Sequence, residues 1–199
     1  MLTKKQLLIL DVFRKNLGKK IMFNQIKRET KIKSNSFLQR TIMEFKEESI
    51  INSEKVGRSI LYWLNLNNKT FSYFSIINLD IYKLPEKILV RIINEISKKT
   101  LFFIVVVFGS YAKQIHKKDS DLDIALIVDN SKDVKKIMPV IETIKRREII
   151  KIDCYIFTVE EFKEMLNSEK ENVGKEILRN HIAFYNINSF YRLVEKWIH

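Results

Sequence analysis

Cysteine is almost absent from this chain: Cys154 is the sole one in 199 residues. A single thiol excludes an internal disulfide and any cysteine-based metal cluster, and Cys154 itself reads as a small buried apolar residue. Long apolar runs are missing as well. No stretch reaches the roughly 18 consecutive apolar residues of a membrane span, and the start Met1-Leu2-Thr3-Lys4-Lys5 enters a helical pattern with no signal-peptide core. The expectation is a cytoplasmic protein. Glycine and proline number only four and two, so each is expected to serve a turn or a helix end. Gly18 follows the first helical segment, Gly57 separates two strand-like pieces, Gly109 sits between two apolar runs and Gly174 lies in a polar stretch.

What the chain does have is apolar residues, at 46%, and positive charge, at +12. The apolar share suffices for a sizeable core in one large or two small domains. The charge is uneven. Residues 1–67 hold fourteen Lys/Arg against six Asp/Glu, whereas residues 68–199 hold twenty-two against eighteen. A basic N-terminal third suits a nucleic-acid-binding module. A chain that is lysine-rich throughout is the competing reading.

The most informative stretch lies in the middle. An apolar run, Leu101 to Phe108, leads into Gly109-Ser110-Tyr111-Ala112-Lys113, then a polar loop, then Ser120-Asp121-Leu122-Asp123 and a second apolar run to Val128. Strand side chains alternate with period two, so Asp121 and Asp123 are expected on one face. Two carboxylates so placed repel unless a cation lies between them, and hard oxygen donors suit Mg²⁺ together with substrate phosphates. A third carboxylate, Asp153, falls in the strand-like run Ile149 to Phe157. An ionised group in such a run is costly unless paired or bound to metal. An ion pair with Lys151 or Arg147 competes with the metal reading.

This pattern resembles the nucleotidyltransferase superfamily, DNA polymerase β-like, and in particular its minimal nucleotidyltransferase branch. There Gly-Ser, ten residues and Asp-x-Asp precede a third carboxylate on a later strand. The resemblance covers about residues 85–187. The stretch Glu176 to Tyr185 is similar to the tail that follows the catalytic strands in archaeal members. The family transfers a nucleoside monophosphate from a triphosphate to an acceptor hydroxyl. The resemblance therefore implies ATP or another nucleoside triphosphate as substrate, with AMP from ATP as the first choice, and Mg²⁺, two ions, held by Asp121, Asp123 and Asp153. Asp153 would also help to activate the acceptor. Gly109 and Ser110 would face the phosphates, and Lys113 occupies a place usually basic in the family, with an ordinary exposed lysine as its alternative. Gln114 departs from a common glycine, which bears on loop shape. His116, Lys117 and Lys118 read as a solvated loop that competes with a role at the substrate.

Residues 1–67 resemble a winged helix-turn-helix in the order of their pieces: helical Lys4–Asn16, Phe23–Thr30 and Ser34–Glu48, then a hairpin over Ile50–Leu64 with Gly57 at its tip. On that resemblance Ser34–Glu48 is the recognition helix. Lys33, Ser36, Gln39 and Arg40 are the DNA-contact candidates, with Lys55 and Arg58 on the wing. A solvated face, or a dimerisation or docking domain, competes. Residues 68–84 read as a structured connector, and residues 85–199 as the transferase domain with a helical tail, Pro85 opening its first helix. Pro139 predicts a kink or a late start in the helical stretch 131–146.

The expected class is α+β: a winged helix-turn-helix followed by a mixed sheet flanked by helices. The first functional reading is an active transferase. Relatives of this type act in toxin–antitoxin systems, so a toxin protein supplied in trans is one implied acceptor and partner; RNA or a small molecule is another. The second reading is a DNA-binding regulator that senses or binds nucleotide. A homodimer is expected from the winged-helix resemblance alone.

Overall fold

The computed structural model describes residues 2–198. The chain divides into two compact units, one of residues 1–81 with 193–199 and one of residues 82–192.

The first unit begins with α1 (Lys4–Lys15), whose N-terminus is closed by a capping box: the Thr3 hydroxyl accepts from Gln6 N–H and the Gln6 side chain accepts from Thr3 N–H. Then come β1 (Ile21–Met22), α2 (Phe23–Thr30), α3 (Asn35–Glu47), β2 (Ile51–Val56), β3 (Ser59–Leu64) and α4 (Asn68–Asp80). Ser34 caps α3 by accepting from Phe37 N–H. The strands form an antiparallel sheet in the order β1-β3-β2, and Val56 pairs with Ser59 across a two-residue turn in which Gly57 adopts φ +60°. Leu7, Leu10, Phe13, Ile26, Leu38, Ile42 and Phe45 fill the core between the helices. The stretch read as a connector contains α4. Asn67 caps it, Phe71, Phe74 and Ile77 are buried, and Arg14 of α1 reaches its Asn78 at 3.4 Å while holding Asp11 at 2.7 Å.

The second unit is built on a four-stranded mixed sheet. In chain order it comprises α5 (Glu86–Ser97), β4 (Phe103–Val107), α6 (Gly109–Ala112), β5 (Leu122–Val128), α7 (Ser131–Arg147), β6 (Ile152–Thr158), α8 (Val159–Asn167), α9 (Val173–Arg179), β7 (Ile182–Tyr185) and most of α10 (Ile187–Val194), whose last residues and the 3₁₀ turn at Glu195–Trp197 fall in the first unit. The strand order is β6-β5-β4-β7. β4 runs antiparallel to β5 and β7, and β5 runs parallel to β6 through the crossover helix α7. β4 is buried along its whole length and β5 at every residue but Asp123, as expected for central strands covered on both faces.

Three local expectations are corrected. α7 starts at Ser131 and continues through Pro139, because Asn130 caps it, accepting from Lys132 and Asp133 N–H at 3.0 and 3.2 Å. β6 starts at Ile152, and Ile149 is fully exposed. Asp153 therefore stands at the opening of its strand and not in the middle of it. Cys154 is partly shielded, and burial pushes its thiol up to about 12.

Candidate active site

The parallel register of β5 and β6 sets Leu122 beside Ile152 and Asp123 beside Asp153. Asp121 immediately precedes β5, where the Leu122 N–H still bonds the Lys151 carbonyl at 2.8 Å. Three carboxylates from two segments thus arrive at one end of the sheet. Asp121 and Asp153 keep 36% and 40% of their side chains exposed, so neither suffers the burial cost of an unpaired core charge.

The turn from β4 completes the site. Gly109 adopts φ +62°, and a Cβ placed there would lie 2.0 Å from Asp123 Oδ2. Only glycine satisfies both constraints: the left-handed backbone and the close approach of a carboxylate. The Ser110 backbone N–H favours the ionised form of the Asp123 carboxylate. These two residues were expected to face phosphates, and here their backbone lies against Asp123.

Asp123 is the electrostatic centre. Its pKa is raised by partial burial first, then by the charges of Asp153, Asp121 and Glu176, with the Ser110 N–H opposing. Glu176, on α9, is a fourth carboxylate in this neighbourhood, to which no motif assigns a role. It holds Lys113 at 3.1 Å, so the lysine expected at a phosphate is engaged by an acid. Lys151, which on sequence alone merely rivals the metal reading, is central. Its ammonium is paired with Asp121 and lies 3.6 Å from Asp153 Oδ2, which raises its own pKa, chiefly through the hydrogen bond to Asp121. A lysine thus occupies the position between two carboxylates where a cation is needed.

The donor set is carboxylate oxygen, which suits a hard divalent ion. Among the described residues, no three His, Cys, Asp or Glu side chains are grouped so that they alone could hold a metal ion. A magnesium site needs no such group, since one or two carboxylates, water and substrate phosphates fill its shell.

His116 is corrected from a solvated residue. Its ring stacks on the buried Tyr111 at 4.1 Å with 9° between planes, and its Nδ1 is buried without a hydrogen-bond partner. His181 is structural, its ring nitrogens lying 3.0 Å from the Leu178 carbonyl and 3.1 Å from the Tyr191 hydroxyl. In the other unit, Lys33, Ser36, Gln39, Arg40, Lys55 and Arg58 are all exposed. Lys33 precedes α3, Ser36, Gln39 and Arg40 lie in its first half, Lys55 is on β2 and Arg58 is in the hairpin turn. Arg40 is shared with Glu44 at 3.7 Å.

A raised carboxylate pKa in the folded state means that folding is favoured by the protonated form. That contribution is present below the unfolded value and is lost as pH rises through the folded one. Ionised Asp123 therefore costs stability at neutral pH, and Asp123→Asn, which keeps an acceptor for the Ser110 N–H, is expected to raise Tm by about 1–4 °C at pH 7. The gain should shrink as pH falls to the unfolded value of about 3.9; thermal melts at pH 7 and at about pH 4 check it, and a lower Tm for the variant at pH 7 would contradict the assignment.

No curated protein matches the chain. Residues 90–188 match the family model described as Polymerase beta, Nucleotidyltransferase, a span that contains β4, the Gly109-Ser110 turn, all four carboxylates and β7. Over residues 90–188 the chain is similar to the nucleotidyltransferase superfamily.

Proposed function

We propose that the second unit transfers a nucleoside monophosphate, AMP from ATP, to an acceptor hydroxyl, with Mg²⁺ at Asp121, Asp123 and Asp153. The observation that carries this reading is the register that pairs Asp123 with Asp153 while Gly109 clears space for the Asp123 carboxylate. Bound Mg²⁺ would supply neutralisation of charge on the phosphate oxygens and acidify the acceptor hydroxyl. The protein's own task is positioning. Asp121 and Asp123 would hold the ion, and the backbone N–H of Ser110 favours the ionised form of Asp123. Asp153 accepts the hydroxyl proton as the acceptor oxygen bonds to the α-phosphorus; the bond to the bridging oxygen breaks and pyrophosphate leaves. Lys113, released from Glu176, meets a departing phosphate. Lys151 balances the carboxylates until substrate and ion arrive.

For the first unit we read a winged helix-turn-helix that docks on duplex DNA. Supporting it are three helices followed by a hairpin, the six exposed DNA-facing candidates and the basic composition of residues 1–67. Full-length protein carrying Arg40→Glu, Lys55→Glu and Arg58→Glu is expected to bind a 30-base-pair duplex at least tenfold more weakly, with the salt slope reduced by about 0.9 for each phosphate no longer neutralised. Unchanged binding and slope would remove this reading.

Transfer is tested with α-labelled ATP, CTP, GTP and UTP in cell extract, scoring labelled acceptor and free pyrophosphate. Asp121→Asn and Asp123→Asn should each lower transfer by about 10²-fold or more. Gly109→Ala should do likewise, because its methyl group displaces the Asp123 carboxylate. Equal labelling by wild type and variants would sink the assignment. Lys151 gives a separate readout. If it holds the cation position, Lys151→Met should tighten Mn²⁺ binding several-fold, measured by the disappearance of free-ion signal in electron paramagnetic resonance. Weaker binding in that variant would show that Lys151 does not compete with the ion.

A further inference from the structure

An open cavity of about 490 Å³ lies between α5 and α7 of the second unit, a volume in the range of small-molecule sites. Arg91 and Glu95 of α5 line one side, and Pro139, Val140, Thr143, Ile144 and Arg147 of α7 line the other. None of these residues belongs to the carboxylate cluster or to the Gly109–Ser110 turn, so the proposed transfer leaves the cavity unused.

The α7 wall is apolar and stiff. Pro139, inside the helix, has no N–H for the Lys135 carbonyl, at a cost of about 3 kcal/mol to the helix. Its ring stands in the cavity wall with Val140 and Ile144. The Thr143 hydroxyl is turned back on the helix, donating to the Pro139 carbonyl at 2.8 Å. The charges around the cavity are answered with one exception. Arg91 is paired with Glu148, and Glu95 with Lys98 at 2.6 Å. Helix α7 ends on Lys145, Arg146 and Arg147. Lys145 holds Glu142 at 3.1 Å, and Arg146 donates to the Glu142 carbonyl at 3.2 Å. Arg147, the one of the three that lines the cavity, enters no ion pair or side-chain hydrogen bond among the described residues. The carboxyl of Glu95 is held below its usual range chiefly by the hydrogen bond from Lys98, and Arg147 contributes least. The helix dipole favours a cation at this end, but it does not call for one that borders a cavity without a partner.

We infer that this cavity binds a small carboxylic acid with an apolar body, its carboxylate on the Arg147 guanidinium and its body against Pro139, Val140 and Ile144. The inference does not rest on the transferase reading. One unanswered guanidinium suits one anionic group, and its planar fork matches a carboxylate through two parallel hydrogen bonds. Glu95 in the facing wall repels further negative charge, which disfavours dianions and polyanions, nucleoside triphosphates among them. A bare anion would leave the wall of Pro139, Val140 and Ile144 wet, whereas a hydrocarbon or aromatic body removes it from water. A free acid and the apolar C-terminal residue of a peptide share this chemistry.

The test uses the full chain and para-fluorophenylpropanoate, titrated by fluorine line broadening in NMR, with the corresponding propanamide as its neutral isostere. Wild type should bind the acid about tenfold or more tightly than the amide, the worth of one charge-assisted pair. Arg147→Gln, at an exposed position, should lower the acid to the affinity of the amide. Arg146→Gln, next along the helix and outside the cavity, should change acid affinity by less than about twofold. Val140→Trp, which fills the cavity from its apolar wall, should weaken acid and amide alike by about tenfold or more. If that variant does not fold, the two arginine variants carry the test. A second arm uses blocked glycyl-glycyl-phenylalanine, fluorinated on the ring, as the free carboxylate and as the amide. Tighter binding by the peptide names a chain end as the source, and tighter binding by the propanoate names a free small acid. Failure of wild type to bind either acid overturns the inference. So do equal affinities for acid and amide, unweakened acid binding in Arg147→Gln, an equal loss in Arg146→Gln, or undiminished binding in a folded Val140→Trp.

Discussion

Like charges held together at the end of a sheet set the terms for everything else in the second unit. Asp123 faces Asp153 because β5 and β6 run parallel in a fixed register, and Asp121 joins them one residue before β5 begins. A one-residue slip would turn Asp123 to the other face and separate the pair. The register is held by β5 itself, which is buried at every position except Asp123 and so cannot shift without exposing its core side chains. Partial burial first, and then repulsion among the acids, raises the pKa of Asp123, and the fold opposes that repulsion with two devices. One is the Ser110 N–H aimed at Asp123, and the other is the ammonium of Lys151 set between Asp121 and Asp153. Stability is thereby given up for a cluster that has no structural need to exist, which is the usual mark of a site kept for chemistry.

Gly109 connects that electrostatics to the turn. Its positive φ brings the chain out of β4 so closely past Asp123 that no side chain fits. The same turn starts the loop that carries Tyr111, His116, Lys117 and Lys118 into a neighbouring cavity and returns at Asp121. The single segment 109–123 therefore shapes the carboxylate cluster and that cavity together.

Much of this is legible in the sequence alone. The apolar runs flanking Gly109-Ser110 and Asp121-x-Asp123 announce two strands with the acids at an end, because strand period and glycine conformation are local properties. The nucleotidyltransferase assignment, drawn from that motif, agrees with the family match over residues 90–188. The N-terminal helices and the hairpin tip at Gly57 are likewise marked by caps, periodicity and a lone glycine. Other features depend on neighbours distant in sequence. Glu176 reaches Asp123 only through the packing of α9, far along the chain, and no spacing rule announces it. The sequence offers Lys151 as a partner for Asp153, yet its main partner is Asp121, which only the β5–β6 register brings near. His116 looks solvated because its neighbours are charged; stacking on Tyr111 is a tertiary fact. Asp153 looks mid-strand because Ile149 to Lys151 look like strand, but β6 begins only where β5 supplies a partner. The helix within 68–80 is hidden by apolar residues spread around its circumference, and its place comes from packing against α1.

The central claim is that Asp121, Asp123 and Asp153 form one cation site that a triphosphate completes. The most direct measurement is a crystal of the protein grown with Mn²⁺ and a non-hydrolysable ATP analogue, with anomalous differences recorded for manganese. The account predicts a manganese peak within about 2.0–2.6 Å of oxygens from at least two of the three aspartates and from the analogue's phosphates, with the Lys151 ammonium moved away from Asp121. A map with the analogue bound elsewhere, or with Lys151 still between Asp121 and Asp153 and no manganese beside them, would contradict it.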